Sequence, residues 1–415
     1  MARTQHRPTN RRQRRRTAAK SALLPYDVLR KIGESFLETS DLDYYYNFRA
    51  AAPHWRRATC KPTADGTDTR FMPRDWILLT RDDDGFVTFV NVSTGRFLRK
   101  RLPCLRDYFF VGAATGSGFL VVGERAWPYQ TRVINPFTGT MVEFRAPIPL
   151  KRVDAVVVTF SPMMVFISDE NERYVQWADE NSESFREREI CPRWPLCCVS
   201  MTLFAGEVHV TTGHGVIASS RTEAAAGTEE EGGGARVVDQ QQQRSAQTVR
   251  MDTILGPTLV EGHSYDNYYL VESEGELLLV HGQFYAGPVV YKVDVLNKVL
   301  VPVRSIGGRA LFLSDSQCFS IDASKFHTVE AGTIYYASPA WLRAYDYESL
   351  EERDSGPVLD LATDFTLKCC GRPFTFPELL TSYFTAFPEL TELEMKVYDG
   401  EYYYDYGDEA DQDDE

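Results

Sequence analysis

The seven histidines and eight cysteines are the side chains of this chain best suited to hold a metal or attack an electrophile. Their spacing does not assemble them. No His-Glu-x-x-His pair occurs, and Cys197-Cys198 and Cys369-Cys370 are adjacent pairs, not the Cys-x-x-Cys of a zinc site. They read as small buried hydrophobes. His209 and His214 flank a glycine turn without further ligands at zinc spacing, so both read as structural or surface residues. Gly112, Gly116 and Gly118 have the density of a phosphate loop, but the terminal Gly-Lys-Ser/Thr is missing and a strand follows instead of a helix. A turn is the better reading. No Gly-x-Ser-x-Gly elbow is present. The chain therefore reads as non-catalytic, with no cofactor and no metal.

The elements that carry these residues are mostly strands. From about Asp75 to Tyr347, short β-rich runs alternate with Gly, Pro, Asn and Asp. Examples are Trp76–Thr80, Phe86–Val92, Phe119–Gly123, Ala155–Phe160, Glu207–Thr212, Glu276–Val280, Val289–Val295 and Ile334–Ala337. Many short strands with regular turn signals indicate a sandwich, barrel or propeller. An internal echo favours the propeller. Asn91 to Arg96, Asn135 to Thr140 and Asp294 to Val299 each place Asn or Asp before a turn and a Gly or Lys after it. The Asn or Asp side chain can close the turn, and Gly accepts the left-handed position. Asn91 and Asn135 are 44 positions apart, close to one blade length. Between Asn135 and Asp294 a low-complexity insert, 219–248, interrupts the pattern, and three further blade lengths fit around it. The expectation is a mainly β chain with a kelch-like propeller of about six blades over 70–347, then an extension over 348–397.

Residues 21–60 differ in character. Leu24, Val28, Ile32 and Phe36 recur four apart beside Leu29, which makes one helix face apolar. Asp41 is a plausible N-cap for a second helix holding Leu42, Tyr45, Phe48 and Arg49. Pro53 ends that helix and can begin a turn holding Trp55. Such a segment is too short to bury a core alone, and reads as a docking module.

Leu24, Pro25, Asp27, Val28, Leu29, Ile32, Asp41, Leu42, Phe48, Arg49, Trp55 and Arg56 together resemble the F-box pattern. A Tyr run within Asp43–Asn47 lengthens its middle, and Ala51-Ala52 replace the usual Val-Cys. The later segments Tyr269–Ser273, Gly275–Val280, Tyr291–Asp294, Gly308–Leu313 and Thr333–Tyr336 extend the likeness. Their order resembles the plant F-box family whose C-terminal region is called domain of unknown function 295, a β-propeller. Phe319–Ile321 and Lys325–His327 depart from that family's pattern. The resemblance implies a substrate receptor of a Skp–cullin–F-box ubiquitin ligase. Leu24, Pro25, Val28, Leu29, Ile32, Leu42, Phe48 and Trp55 would dock on a Skp-type adaptor, and through it a cullin, while the propeller holds an unnamed target protein. The alternative is a propeller scaffold or nuclear binding protein with a degenerate F-box.

The chain has 415 residues, 43% of them hydrophobic, and a net charge of -14. The charge is uneven. Residues 1–20 are basic, with cations clustered at Arg11–Arg16, and residues 398–415 are acidic around Tyr402–Tyr404. Both ends read as disordered charged tails. The acidic end competes with nucleic acid for the basic arm, which argues against strong nucleic-acid binding. No apolar run is long enough for a membrane span and no secretory h-region opens the sequence, so the nucleus or cytoplasm is expected, with reduced cysteines.

Overall fold

The computed structural model describes residues 24–354, leaving out 63–67, 82–84, 150–152, 154, 169–173, 190–199, 213–214, 224–247, 256–266, 284–286, 315–316 and 338–341. The charged tails, most of the low-complexity insert, His214, both cysteine pairs and nearly all of the expected 348–397 extension lie outside these residues.

Three helices come first: α1 (Tyr26–Glu38), α2 (Leu42–Ala51) and α3 (Pro53–Ala58). Six sheets follow. The first holds β1 (Trp76–Arg81), β2 (Phe86–Asn91) and β3 (Arg96–Arg101). The second holds β4 (Tyr108–Ala113), β5 (Leu120–Glu124), β6 (Gln130–Ile134) and β7 (Met141–Pro147). The third holds β8 (Ala155–Phe160), β9 (Met163–Ser168), β10 (Tyr174–Asp179) and β11 (Arg186–Glu189). The fourth holds β12 (Ser200–Phe204), β13 (Glu207–Thr211), β14 (Ile217–Glu223) and β15 (Thr248–Leu255). The fifth holds β16 (Asn267–Ser273), β17 (Glu276–Gln283), β18 (Gly287–Asp294) and β19 (Val299–Val303). The sixth contains β20 (Arg309–Leu313), β21 (Cys318–Asp322), β22 (Thr333–Ala337), β23 (Leu342–Asp346) and β24 (Glu351–Asp354), in the spatial order β21-β20-β22-β23-β24.

These sheets are the blades of a six-bladed propeller, and the hydrophobic clusters show how the ring closes. Each of six clusters fills one junction between neighbouring blades. Phe109 and Val121 of the second blade meet Val156 and Val165 of the third. Met164 and Phe166 meet Met201 and Val208 across the next junction. Ile217 and Ile254 meet Leu270 and Leu277, and Val271 and Val280 meet Leu311 and Ile334. Leu79 and Val90 of the first blade pack on Ala310 and Phe312 of the sixth, so the two ends of the sheet series meet. A two-sheet sandwich has no such circuit.

Burial falls from the hub to the rim, and the strand sequences follow it. β8 and β9 read Ala-Val-Val-Val-Thr-Phe and Met-Met-Val-Phe-Ile-Ser and are almost wholly buried, because blades cover both of their faces. β11, an outer strand, reads Arg-Glu-Arg-Glu and is exposed throughout. The echo seen in the sequence is the turn before each outer strand. Asn91 Oδ1 accepts from the Ser93 and Thr94 amides, Asn135 Oδ1 from the Phe137 and Thr138 amides, and Asp294 Oδ1 from the Asn297 amide. Gly95, Gly139 and Lys298 take the left-handed position at φ 71, 73 and 57°. The structure adds two further copies of this turn. Asp179 turns the third blade and Asp346 the sixth, with Leu350 at φ 57°. In the fourth blade the insert stands in place of this turn, between β14 and β15.

Two boundaries differ from expectation. β14 runs to Glu223, so the insert begins later than Ser219, and β24 carries the last sheet to Asp354, beyond Tyr347. β20 and β22 also pair in parallel, an arrangement that hairpin signals alone do not reveal.

Candidate docking face and the propeller funnel

The helices form a small hairpin with a tail, fixed from inside. A Cβ added at Gly33 would lie 2.7 Å from the Thr59 methyl, so glycine lets α1 approach the end of α3. The Tyr45 hydroxyl donates to the Cys60 carbonyl at 2.6 Å. Arg49 is buried and donates to the Thr59 carbonyl at 2.5 Å and to Thr59 Oγ1 at 2.8 Å, capping the chain as it leaves α3. Burial pushes the Tyr45 hydroxyl above the ordinary phenol range, against the pull of Arg49.

One side of this hairpin belongs to the propeller core. Leu37, Leu42 and Tyr45 join Phe71, Trp76 and Phe89 in the cluster between the first two blades. Polar contacts reinforce the joint. The Trp76 indole donates to the Ser40 carbonyl at 2.6 Å, and the Asn91 amide donates to the Thr39 carbonyl at 2.9 Å. Arg96 of β3 pairs with Asp41 at 2.9 Å and with Asp43, while its guanidinium lies 4.0 Å from the Tyr44 ring centroid and 4.9 Å from that of Trp76. Asp41 does precede α2, but its side chain makes no cap hydrogen bond; it serves Arg96 instead. The chain after the helices passes through the same region: Asn135 donates to the Phe71 carbonyl, and a Cβ on Gly118 (φ 64°) would fall 2.1 Å from the Pro73 carbonyl oxygen.

The other side is open. Leu24 is 43% exposed, Tyr26 57% and Tyr44 46%. Pro25 is exposed, while Val28, Ile32, Phe48 and Trp55 are half-buried. Phe48 and Trp55 stack at 4.5 Å, and Phe36 lies 5.8 Å from Phe48 and 6.1 Å from Tyr44. Leu24, Pro25, Val28, Ile32, Phe48 and Trp55 are six of the eight expected docking residues; the other two, Leu29 and Leu42, are buried. Leu29 and Leu42 have no exposed surface, and Leu42 packs in the cluster shared with the propeller, so neither is accessible to a partner in this conformation. Tyr26 and Tyr44 are also exposed, while Phe36, which the four-residue spacing sets on the Leu24 face, is half-buried against the cluster shared with the propeller.

A second concavity opens at the hub. A funnel of about 1130 Å³ lies where the first strands of the blades turn, with Asp75, Trp76, Thr115, Leu203, Arg309 and Gln317 in its wall. Burial raises the Asp75 carboxyl above its usual range, opposed by hydrogen bonds with Ser93 and Ser40 and by the Arg74 charge. Arg309 donates to Ser320 Oγ at 2.9 Å, and Gln317 donates to the Ala113 carbonyl at 3.1 Å. The glycine-rich stretch Gly112–Gly118 is the β4–β5 turn at this rim, in a strand–turn–strand context. His209 is buried in the fourth blade, its Nδ1 3.3 Å from the Glu207 carbonyl. Among the described residues no group of three or more His, Cys, Asp or Glu is placed to hold a metal ion. Among the same residues no helix is long and apolar enough to cross a membrane. Tyr335 and Tyr336 are core residues, stacked on Phe312 and edge-on to Tyr269 respectively.

Over 91 residues the chain is 32% identical to the Arabidopsis thaliana protein named F-box protein At2g26160. The aligned part is 19% of this chain and 28% of that relative, so less than a third of the curated protein's length is spanned. Among solved structures, Kluyveromyces lactis Hsv2 is similar at 11% identity and a TM-score of 0.29, covering 55% of this chain and 70% of that one. The Myceliophteria thermophila Cps50 (Swd1) β-propeller domain is similar at 11% identity and a TM-score of 0.32, covering 66% and 89%. The family description KIB1-4 beta-propeller matches residues 89–358, from within the first blade to just past the last described strand. Most of the six-bladed ring lies inside the match, and this chain belongs to the KIB1-4 beta-propeller family.

Proposed function

We propose that this chain is the substrate-recognition subunit of a Skp–cullin–F-box ubiquitin ligase, of the plant type that joins an F-box to a domain-of-unknown-function-295 propeller. It acts in the nucleus or cytoplasm and catalyses nothing itself. The observation that carries this reading is the two-sidedness of the helical hairpin. One side is part of the propeller core, and the other presents Leu24, Pro25, Val28, Ile32, Phe48 and Trp55 outward. A helix face seated in a partner's groove buries such anchors. The similarity to an F-box protein points the same way.

The helices sit on the face where β2 turns to β3 and β4 turns to β5. A target held on the opposite face would stand clear of the adaptor. The mechanism is proximity: holding a target near the loaded enzyme raises its effective concentration, and bond formation takes place on other subunits. The test is co-expression with a plant Skp-type adaptor. The full chain should co-purify with it, and a Leu24→Ala, Pro25→Ala, Trp55→Ala chain should not. No complex with either would return the chain to the class of propeller scaffolds with a degenerate F-box.

A further inference from the structure

We propose that the apolar rim of the fifth blade, formed by Leu296, Val299 and Val301, is a docking surface for the chain's own segment 373–387. The proposal does not depend on the ligase reading.

An outer strand leaves one edge open, and proteins commonly guard it with charge or proline. Five of the six outer strands carry charged side chains. β3 holds four cations, β7 holds Glu143 and Arg145, β11 is Arg-Glu-Arg-Glu, β15 holds Arg250 and Asp252, and β24 is Glu-Glu-Arg-Asp. β19 reads Val-Leu-Val-Pro-Val and carries no charge. Alternate residues of a strand share a face. Leu300 turns into the junction with the fourth blade, while Val303 packs into the junction with the sixth. Val299 and Val301 lie on the Val303 side, each 46% exposed, and Leu296 in the preceding turn is 93% exposed. The two valines therefore continue the fifth–sixth junction outward, beyond the part that the sixth blade covers. The last turn of the sixth blade abuts this strand. Its Tyr347 hydroxyl donates to the Val303 carbonyl at 2.6 Å, and Ser305 donates to its Glu348 carboxylate at 2.6 Å. Leu350, in that turn, is 55% exposed.

Segment 373–387 fits this rim in composition and in place. Phe374, Phe376, Leu379, Leu380, Tyr383, Phe384 and Phe387 supply its apolar bulk, and Glu378 is its single charge. Such a stretch gains free energy by leaving water. Phe374 and Phe376 have the two-residue spacing of Val299 and Val301. The chain leaves β24 at Asp354, in the blade that touches β19. The 18 residues 355–372 span about 20–25 Å as a random coil, enough to return to the neighbouring rim. A second copy fits less well. Edge-to-edge pairing of two such strands would bring in Pro302 twice, and proline supplies no ladder donor.

The test follows hydrogen exchange in the full chain. Amides of 373–387 should exchange about tenfold or more slowly than those of a free synthetic peptide of that sequence. A Val299→Asp, Val301→Asp full chain should lose this protection, and a Phe374→Ser, Phe376→Ser, Phe384→Ser full chain should exchange several-fold faster over Val299–Val303. Thermal unfolding checks that each variant folds. A photo-reactive side chain placed at position 296 of the otherwise unchanged chain gives a second readout, and its cross-links should map to 373–387 of the same molecule. Exchange of 373–387 at the free-peptide rate in the wild-type chain overturns the proposal. Protection that survives in the folded double-Asp chain also overturns it, because the segment would then be docked elsewhere. Cross-links from position 296 to another segment, or to a second copy, overturn it as well.

Discussion

The Asn91 side chain joins the propeller to the helices: its amide donates to the Thr39 carbonyl at 2.9 Å while its oxygen closes the turn between β2 and β3. The same position in the fifth blade is Asp294, which faces solvent and needs no amide, since its second oxygen accepts from Asn297. The choice of Asn or Asp within the repeat therefore follows what lies beyond the turn.

Asn91→Asp should keep the turn but set a carboxylate against the Thr39 carbonyl, at a cost of about 1–3 kcal/mol for the lost and repulsive contact. Asp294→Asn should change stability by less than about 0.5 kcal/mol, as exposed substitutions do. Urea unfolding of both variants gives the comparison. Equal effects would mean that the Asn91 amide contributes nothing to the joint.

Arg96→Ala leaves Asp41 and Asp43 partly buried without their cation and strips the guanidinium from Tyr44 and Trp76. The site is partly open to water, so a loss of about 2–3 kcal/mol is expected, below the full cost of breaking a buried pair. Proteolysis after the helices should accelerate in parallel. Unchanged stability and cleavage would show that the apolar contacts of Leu37, Leu42 and Tyr45 suffice.

Trp55 and Leu29 should separate docking from folding. Trp55→Ala is expected to lower adaptor affinity by about 2–4 kcal/mol, as interface anchors do. Leu29→Ala should instead destabilise the chain by about 2–4 kcal/mol, as buried leucines do. Calorimetric titration with the adaptor and thermal unfolding, run on both variants, would disprove the assignment if the two patterns were exchanged.

His209 predicts an acid-sensitive blade. Burial lowers its pKa from the ordinary 6.5, with the Glu207 carbonyl and charge opposing. The unfolded chain then takes up the proton first as pH falls, so the stabilising difference is complete above about pH 6.5 and declines below it. The slope should reach at most about 1.4 kcal/mol per pH unit. A His209→Gln chain should lose that increment of acid sensitivity; an unaltered pH profile would assign the sensitivity to other groups.

Much of the ring was legible because hairpin chemistry is local. Asn91, Asn135 and Asp294 announced their turns by a side chain that reaches only two or three residues onward. Asp179 and Asp346 make the same turn, the latter with Leu350 at φ 57° where other blades place Gly or Lys, and neither is followed by the residue pattern shared by the other three. The spacing from Asn135 to Asp179 is again 44 positions, which confirms the blade length after the fact. The fate of Leu29 and Leu42 was not legible. Periodicity identifies an apolar face but cannot say whether a propeller or a separate protein covers it, and Leu42 meets residues about 30 to 90 positions away. Asp41 misled for the same reason: its partner, Arg96, is 55 positions distant.

The fourth blade departs from its neighbours at the β14–β15 hairpin, where residues 224–247 stand in place of a short turn. Closure entropy grows only with the logarithm of loop length, so exchanging that stretch for a four-residue turn changes stability by about 1–2 kcal/mol. The hairpin is thus a port in the ring: a fluorescent reporter or affinity handle spliced there would ride on the blade without entering any of the six junctions.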